Sequence, residues 1–366
     1  MKIKTITCHD VYNYGASLQA YALQTYLTSI GHDVEIIDYL PDYISGRYKF
    51  FNILPNSRLY KYAIKNKLFY FLCCLYQVKR KYSTYGRKKV FDSFKEEYLL
   101  CTKLYKDYQE LKADPPTADA YVVGSDQVWS CTSAIGKDPA FYLDFGSSSI
   151  KRYSYAASFG QSKIQPENKA FVFSKLQKFN GISVRENTGL EILQSLSIEG
   201  INVVDPVLLL NQEDWNQLIP TERIVKKNYI LVYDLYHADT EMKEAVCSVA
   251  KNNGLKIVSI NSRSGLNYAD INISNAGPIE FLNLIKYCTY CFSNSFHATA
   301  FSVIFHKPFY VFNRHDNVSR IKDFLAIIDM EQCLNPEQMN VIFNYNVIDN
   351  RLQKMIITSK KYLYSF

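Results

Sequence analysis

The chain of 366 residues lacks the features that mark secreted and membrane-spanning proteins. No apolar run approaches the roughly 20 residues that cross a bilayer, and the longest, Leu68–Tyr76, is about half that length. The N-terminus leads directly into a predicted strand, without the apolar segment of a signal peptide. The nine cysteines have no regular spacing. We therefore expect a cytoplasmic protein with free thiols.

The glycine fingerprint of dinucleotide-binding proteins is also missing. Gly15, between the first predicted strand and helix, has no partner glycines, which counts against an NAD-dependent enzyme. Cys288 and Cys291 form a single CxxC without a second pair, so buried thiols are favoured and no metal is expected. Tryptophan is scarce, with 2 residues against 30 tyrosines. Tyrosine suits wet clefts, where a ring needs one polar end.

Acidic residues are absent from one segment of the chain. Residues 47–89 contain twelve Lys or Arg and no Asp or Glu, although the whole chain carries a net charge of only +7. Such a segment seeks an anionic surface, and aromatic residues are interleaved with its cations. We expect it to dock on the anionic inner face of the plasma membrane, with a solvated helical hairpin as the alternative. No nucleic-acid partner is expected, because the remainder of the chain is acidic.

Strands and helices alternate along the chain, which predicts an α/β protein with parallel sheets covered on both faces. Residues 1–212 are predicted to form the first domain and residues 213–340 the second. Residues 341–366 are predicted to form a helix that packs back on the first domain. Residues 45–112 are basic, tyrosine-rich and helical in spacing, and are expected to be an insertion in the first domain.

Polar and small residues follow the predicted strands of both domains. Ligands bind beyond the carboxyl ends of strands in open parallel sheets, so these positions predict a cleft between the domains. Asn13 and Gly15 precede the first helix, where backbone N–H groups bind anions and a glycine permits close approach. A plain helix entry is the alternative. Asp126 ends another strand and either binds or deprotonates a sugar hydroxyl, or caps a turn.

Two further positions carry the side chains best suited to anion binding and proton transfer. Arg185 ends a predicted strand, where a guanidinium can clamp a carboxylate or phosphate, unless it pairs with Glu186 or across domains. His297 begins a helix, whose dipole disfavours a charged imidazole. That suits acid–base catalysis, although a structural histidine is the alternative. Arg314 and Arg320 are further anion-binding candidates.

Six stretches, in order along roughly residues 1–330, resemble the polysaccharide pyruvyltransferase family. They are Asn13–Leu23, Ala120–Trp129, Tyr153–Gly160, Ile182–Glu186, Val204–Leu210 and Ser293–Pro308. The resemblance implies a GT-B-like fold with two Rossmann-like domains facing a cleft. It implies phosphoenolpyruvate as co-substrate, with no cofactor, and a pyruvate ketal as product. The acceptor implied is a hexose, with galactose and a 4,6-ketal as first choice, on an undecaprenyl-linked precursor of a surface polysaccharide such as capsule.

By motif position, Arg185 matches a phosphoenolpyruvate-binding arginine of the family and His297 its essential histidine. The chain departs from the family where Ser295 replaces an arginine two residues before that histidine. Arg320 or Arg314 is expected to supply the missing cation.

The resemblance also suggests which residues flank the two substrates. Asn294 and Ser295 are expected beside the donor. The residues expected at the acceptor are Asn13, Gly15, Ser125 and Trp129, with Asp126 and His297 as the catalytic pair. A GT-B glycosyltransferase using a nucleotide sugar is the alternative function, and a non-catalytic relative is another.

Overall fold

The computed structural model of the protein describes residues 1–45, 67–235, 240–260, 265–312 and 319–366. Across these ranges, strands alternate with helices and every strand pairing is parallel. In the described part of the chain, no helix combines the length and the apolarity that a membrane crossing requires.

The first half of the chain builds a five-stranded sheet in the order β3-β2-β1-β4-β5. Its strands are β1 (Lys2–Ile6), β2 (Asp33–Tyr39), β3 (Cys101–Tyr105), β4 (Ala120–Val123) and β5 (Lys151–Ser154). A short pair, β6 (Ser183–Val184) and β7 (Ile201–Asn202), continues beyond β5 through isolated bridges. Every residue of the central strand β4 is buried, as expected for a sheet covered on both faces.

Helices cover this sheet. They are α1 (Tyr14–Ser29), α2 (Asp42–Ser45), α3 (Lys67–Tyr98), α4 (Tyr108–Ala113), α5 (Pro166–Leu176) and α6 (Asn187–Ser195). Helix α1 begins where the Asn13 side chain accepts a hydrogen bond from the backbone N–H of Ala16, which satisfies one of the free donors of the first turn. This cap fixes the loop between β1 and α1 at the carboxyl edge of the sheet.

The prediction of a helical insertion over residues 45–112 is wrong in its last part. Residues Cys101–Tyr105 form the edge strand β3, paired in parallel with β2. Only Tyr105 of this strand is buried. The strand therefore lacks the alternating apolar pattern by which strands are recognised in a sequence, and the basic, helical residues before it dominated the prediction.

Residues 47–66 of the segment predicted to dock on a membrane lie outside the described residues, which resume at Lys67. One of its twelve cations is part of the protein interior. The Arg87 guanidinium is buried and donates to the Tyr14 hydroxyl at 2.8 Å and to the Tyr12 carbonyl at 2.9 Å. Arg87 is therefore unavailable to a lipid surface.

The second half builds another parallel sheet, in the order β10-β9-β8-β11-β12. Its strands are β8 (Tyr229–Tyr233), β9 (Lys256–Ile260), β10 (Ile271–Ile273), β11 (Tyr290–Ser293) and β12 (Phe309–Val311). The helices of this half are α7 (Gln212–Asn216), α8 (Thr240–Asn253), α9 (Pro278–Tyr287), α10 (Phe296–Ile304), α11 (Ser319–Ile328) and α12 (Tyr345–Leu363).

The two halves share one apolar core. The Tyr14 ring stacks on Phe281 with ring centroids 4.6 Å apart, and its hydroxyl donates to the Ala276 carbonyl at 3.2 Å. The C-terminal helix α12 returns to the first half, where the Tyr362 hydroxyl donates to the Ser154 carbonyl at 3.0 Å. These contacts bring the carboxyl edge of the first sheet against the start of helix α10.

Candidate active site

Side chains from three strand ends of the first sheet meet the first turn of helix α10. Asp126 follows β4, Arg185 follows β6 and Asp205 follows β7, while His297 follows β11 of the second sheet. Neighbouring strand ends are fastened by backbone hydrogen bonds, such as that from Ser158 N–H to the Asp126 carbonyl at 3.0 Å. The structure thus brings Asp126, Arg185 and His297 together, as a cleft at the strand ends predicts.

Asp205 lies at the centre of this cluster, and sequence analysis did not assign it a role. Its Oδ2 accepts from Arg185 Nη1 at 2.5 Å and from Ser125 Oγ at 3.1 Å, and lies 3.6 Å from His297 Nε2. Its Oδ1 accepts from Val207 N–H at 3.1 Å. Burial alone would raise the pKa of Asp205, but the charge of Arg185 and the neighbouring imidazole hold it well below its ordinary value. The one available signal was its position directly after a predicted strand.

Arg185 is buried and surrounded by negative charge. Besides Asp205, its guanidinium lies 3.7 Å from Asp126 Oδ1 and 3.9 Å from Glu186 Oε2, and it lies over the Phe296 ring, 5.3 Å from the centroid. Burial would lower the pKa of Arg185, but these carboxylates raise it above its ordinary value. Among the described residues, Nε and Nη2 have no hydrogen-bond partner. The group is therefore charged and keeps two buried donors unused.

His297 packs on Gly15. A Cβ atom added to Gly15 would lie 1.9 Å from Nδ1 of His297, far inside van der Waals contact. The close approach predicted at Gly15 is therefore made by the imidazole, since no side chain larger than hydrogen fits there. Within the described residues, His297 Nε2 has no hydrogen-bond partner, because its distance to Asp205 exceeds hydrogen-bonding range.

Two of the residues expected at the acceptor are interior residues. The prediction for Trp129 is wrong: its ring is fully buried against Phe159, and Nε1 donates to the Phe141 carbonyl at 2.9 Å. Ser125 is also buried, and its hydroxyl connects Arg185 to Asp205, so it orients the cluster instead of facing an acceptor. Asn13 is exposed at the start of α1.

Two of the residues expected beside the donor, Asn294 and Ser295, are engaged in hydrogen bonds within the protein. The Asn294 amide donates to Asp234 Oδ1 and accepts from Leu235 N–H, both at 2.8 Å, so it fastens the loop after β8. Ser295 Oγ accepts from Ala298 N–H at 3.5 Å and caps helix α10. Arg314 lies outside the described residues.

Arg320, in the first turn of helix α11, belongs to the charge cluster. Burial lowers the pKa of Arg320 and the charge of Arg185 lowers it further, while the carboxylates around Arg185 raise it. The same face of α11 contacts both halves of the chain next to the site. Asp323 Oδ2 accepts from Asn187 N–H at 2.8 Å, and the Phe324 ring lies 5.6 Å from that of Phe296.

The loop after β1 is held by a buried histidine that sequence analysis passed over. Nδ1 of His9 faces the Thr7 carbonyl at 3.2 Å and Nε2 faces Asp38 Oδ1 at 3.1 Å. Both partners are acceptors, so both ring nitrogens donate, which requires the charged imidazolium. Burial would lower the pKa of His9, but hydrogen bonds to Asp38 and Cys101 raise it to about 9.

We expect the free energy of unfolding to fall as pH rises through the pKa of His9. The folded-state pKa exceeds the ordinary value of 6.5, so the stabilisation is complete below pH 6.5 and is lost as pH approaches 9. The decrease should be roughly 3 kcal/mol. Urea unfolding at pH 6, 7.5 and 9 measures it, and His9→Gln should flatten the dependence. An equal decrease in that variant would contradict the assignment.

Among the described residues, no three His, Cys, Asp or Glu side chains are grouped as metal ligands. Burial raises the pKa of the Cys291 thiol to about 11 and that of Cys288 well above its ordinary value. Both thiols therefore stay protonated at neutral pH, and protonated thiols are poor nucleophiles and metal ligands.

Two Rossmann-like units, with a charged cluster between the strand ends of one and a helix start of the other, define a GT-B-like fold. Among solved structures, the S. aureus MnaA–UDP co-structure is similar with a TM-score of 0.51 at 13% identity, covering 97% of this chain and 88% of that one. UDP-GlcNAc 2-epimerase from Neisseria meningitidis, bound to UDP-GlcNAc, covers 99% and 100% at 12% identity with a TM-score of 0.45. The glycosyltransferase SnogD from Streptomyces nogalater covers 100% and 99% at 11% identity with a TM-score of 0.42.

The chain belongs to the polysaccharide pyruvyl transferase family, whose sequence model matches residues 13–317. No curated protein matches the chain. The family match includes Asp126, Arg185, Asp205 and His297, and it ends before Arg320.

Proposed function

We propose that the protein transfers a pyruvyl group from phosphoenolpyruvate to a hexose of an undecaprenyl-linked precursor of a surface polysaccharide. The observation that carries this proposal is that Arg185, whose Nε and Nη2 make no hydrogen bond, and the imidazole of His297 lie on the same carboxylate, that of Asp205. Guanidinium groups bind carboxylate and phosphate, and an imidazole transfers protons near neutral pH.

Phosphoenolpyruvate carries two anionic groups, a carboxylate and a phosphate. Arg185 alone cannot neutralise both, because carboxylates of the protein already surround it. Asp205, Asp126 and Glu186 lie 2.5, 3.7 and 3.9 Å from the Arg185 guanidinium. At an effective dielectric constant of 20, each charge pair 4 Å apart interacts by about 4 kcal/mol. A second cation is therefore needed. We assign this role to Arg320, whose charge interacts with that of Arg185.

His297 protonates the methylene carbon of phosphoenolpyruvate, and C2 becomes electron-deficient. One hydroxyl of the hexose attacks C2, the bond between C2 and the phosphate oxygen breaks, and a second hydroxyl closes the ketal. Two hydroxyl protons are lost, one proton is gained by carbon and one by the released phosphate. Asp205 holds both Arg185 and His297 in place, and Asp126 accepts one hydroxyl proton.

The test is incubation of the purified protein with a galactosyl lipid-linked acceptor and isotopically labelled phosphoenolpyruvate. Mass spectrometry should find the acceptor heavier by one pyruvic acid less one water, carrying the label, and inorganic phosphate should be released in equal amount. A parallel incubation with labelled UDP-sugars tests the glycosyltransferase alternative. Incorporation of label from the UDP-sugar alone would overturn the proposal.

Replacing Arg320 with methionine is expected to raise KM for phosphoenolpyruvate roughly 10- to 100-fold, the loss typical of a hydrogen bond to a charged group. Arg320→Lys should recover part of the affinity. Lys322→Met is the matched control, since Lys322 is exposed on the same helix. Steady-state kinetics with varied phosphoenolpyruvate measures the effect. An unchanged KM in Arg320→Met would remove this residue from the donor site.

A further inference from the structure

Ketal formation requires two hydroxyl protons to leave the same hexose, and Asp126 accounts for one of them. The site contains two other carboxylates, Asp205 and Glu186. Both oxygens of Asp205 are already occupied by Arg185, Ser125 and a backbone N–H. Its depressed pKa also makes it a weak base. Asp205 therefore positions other groups, and Glu186 remains as a proton acceptor.

Glu186 is held with one oxygen bound and the other unused. Its Oε1 accepts from the Ser158 hydroxyl at 2.6 Å, and the same hydroxyl oxygen accepts from Gly160 N–H at 3.1 Å. Its Oε2 is buried and has no hydrogen-bond partner among the described residues. A buried carboxylate oxygen without a donor is costly unless a ligand satisfies it.

The unpartnered oxygen of Glu186 faces an unpartnered donor of Arg185. Its Oε2 lies 3.9 Å from Arg185 Nε, which also lacks a partner. One oxygen atom can lie within hydrogen-bonding distance of both atoms, donating to the carboxylate and accepting from the guanidinium. The second unused donor of Arg185, Nη2, lies 3.7 Å from Asp126 Oδ1, which accepts from Gln127 N–H at 2.9 Å. Nη2 therefore remains available to an anionic group of the donor, while Nε faces Glu186.

We infer that Glu186 binds the second acceptor hydroxyl and takes its proton, as Asp126 does for the first. This inference rests on the proposed function. The O–H bond breaks as the oxygen electron pair forms the bond to C2. The proton moves to Glu186 Oε2 and then to the released phosphate, which carries away the electrons of the broken C2–O bond. Asp126 and Glu186 lie 3.7 and 3.9 Å from the same guanidinium, so the two hydroxyls that they deprotonate must be close to each other on the acceptor sugar.

Glu186→Gln tests the inference, because the amide keeps an oxygen for Ser158 and loses the base. We expect kcat to fall roughly 100-fold, with little change in the affinity for phosphoenolpyruvate measured by calorimetry. The acidic limb of the kcat–pH profile that the carboxylate contributes should disappear. Glu186→Asp should recover part of kcat. Glu191→Gln is the matched control, since Glu191 is exposed on helix α6, which begins directly after Glu186.

An unchanged kcat in Glu186→Gln would overturn the inference while leaving the proposed function intact. So would a fall in kcat that comes with lower melting temperature and weaker donor binding but an unaltered pH profile, because a structural role predicts that pattern. If Glu186→Gln does not fold, Glu186→Asp must show reduced kcat at wild-type donor affinity. A wild-type protein that transfers nothing from phosphoenolpyruvate removes the proposed function and this inference together.

Discussion

The variant His297→Ala is expected to lose between about 10²- and 10⁴-fold in turnover, the range typical for removal of an acid–base group. The second half of the chain places the imidazole of His297 3.6 Å from Asp205, beside Arg185. Without it, protonation of the donor methylene carbon depends on water. The imidazole packs on Gly15 at the edge of the site, so we expect its removal to leave the fold intact. Circular dichroism and the melting temperature check folding, and phosphate release measures turnover.

The matched control is His306→Ala. His306 is exposed and pairs with Asp349 at 3.0 Å, away from the cluster. Its loss should leave turnover within about two-fold of wild type, as is usual for surface substitutions. Near-normal turnover in His297→Ala would refute the assigned role, whatever the control does.

The second large effect is expected from a single methyl group. Gly15→Ala places a Cβ where His297 Nδ1 now lies, because the two would be 1.9 Å apart. The imidazole must move, and displacement of a catalytic group by about 1 Å can cost roughly 100-fold in rate. Helix α1 itself should tolerate the change, since alanine is a better helix former than glycine. Turnover should therefore fall by roughly 100-fold or more, and the melting temperature should not decrease.

A double variant shows whether Gly15 acts through His297. If it does, Gly15→Ala should add little to the loss in His297→Ala, because the smaller alanine side chain leaves space for the new methyl group. Additive losses would mean that Gly15 contributes separately, for instance by contacting a substrate. Steady-state turnover of the wild type, both single variants and the double variant completes the cycle.

The fold was largely predictable because its signals are local. Continuous apolar runs such as Tyr229–Tyr233 and Tyr290–Ser293 are typical of buried parallel strands, and both are strands in the structure with these bounds. Cys101–Tyr105 was missed because it lies at a sheet edge, with most of its side chains in solvent. The short strand Ile271–Ile273 was missed for the same reason, since none of its residues is buried.

The site was predictable only in part. Arg185 and His297 follow strands within motifs that resemble a known family, so their meeting at one cleft could be expected. Trp129 follows a strand too, but its ring turns into the core, and nothing in the local sequence indicates which way a side chain points after a strand ends. Asp205 is important because it contacts residues far from it in the chain, such as Ser125. Glu186 is important because its buried Oε2 has no hydrogen-bond partner among the described residues.

The amino-acid sequence by itself determined the alternation of strands and helices, the two α/β units and the family, because each rests on patterns within short stretches. Only the tertiary structure decided which polar side chains contact the Asp205 carboxylate, which glycine leaves space for the His297 imidazole, and which buried oxygen atoms lack a hydrogen-bond donor. Those properties depend on distances of a few ångströms between residues far apart in the chain, such as Asp205 and His297 or Gly15 and His297. Packing and burial set such distances, and no local pattern encodes them.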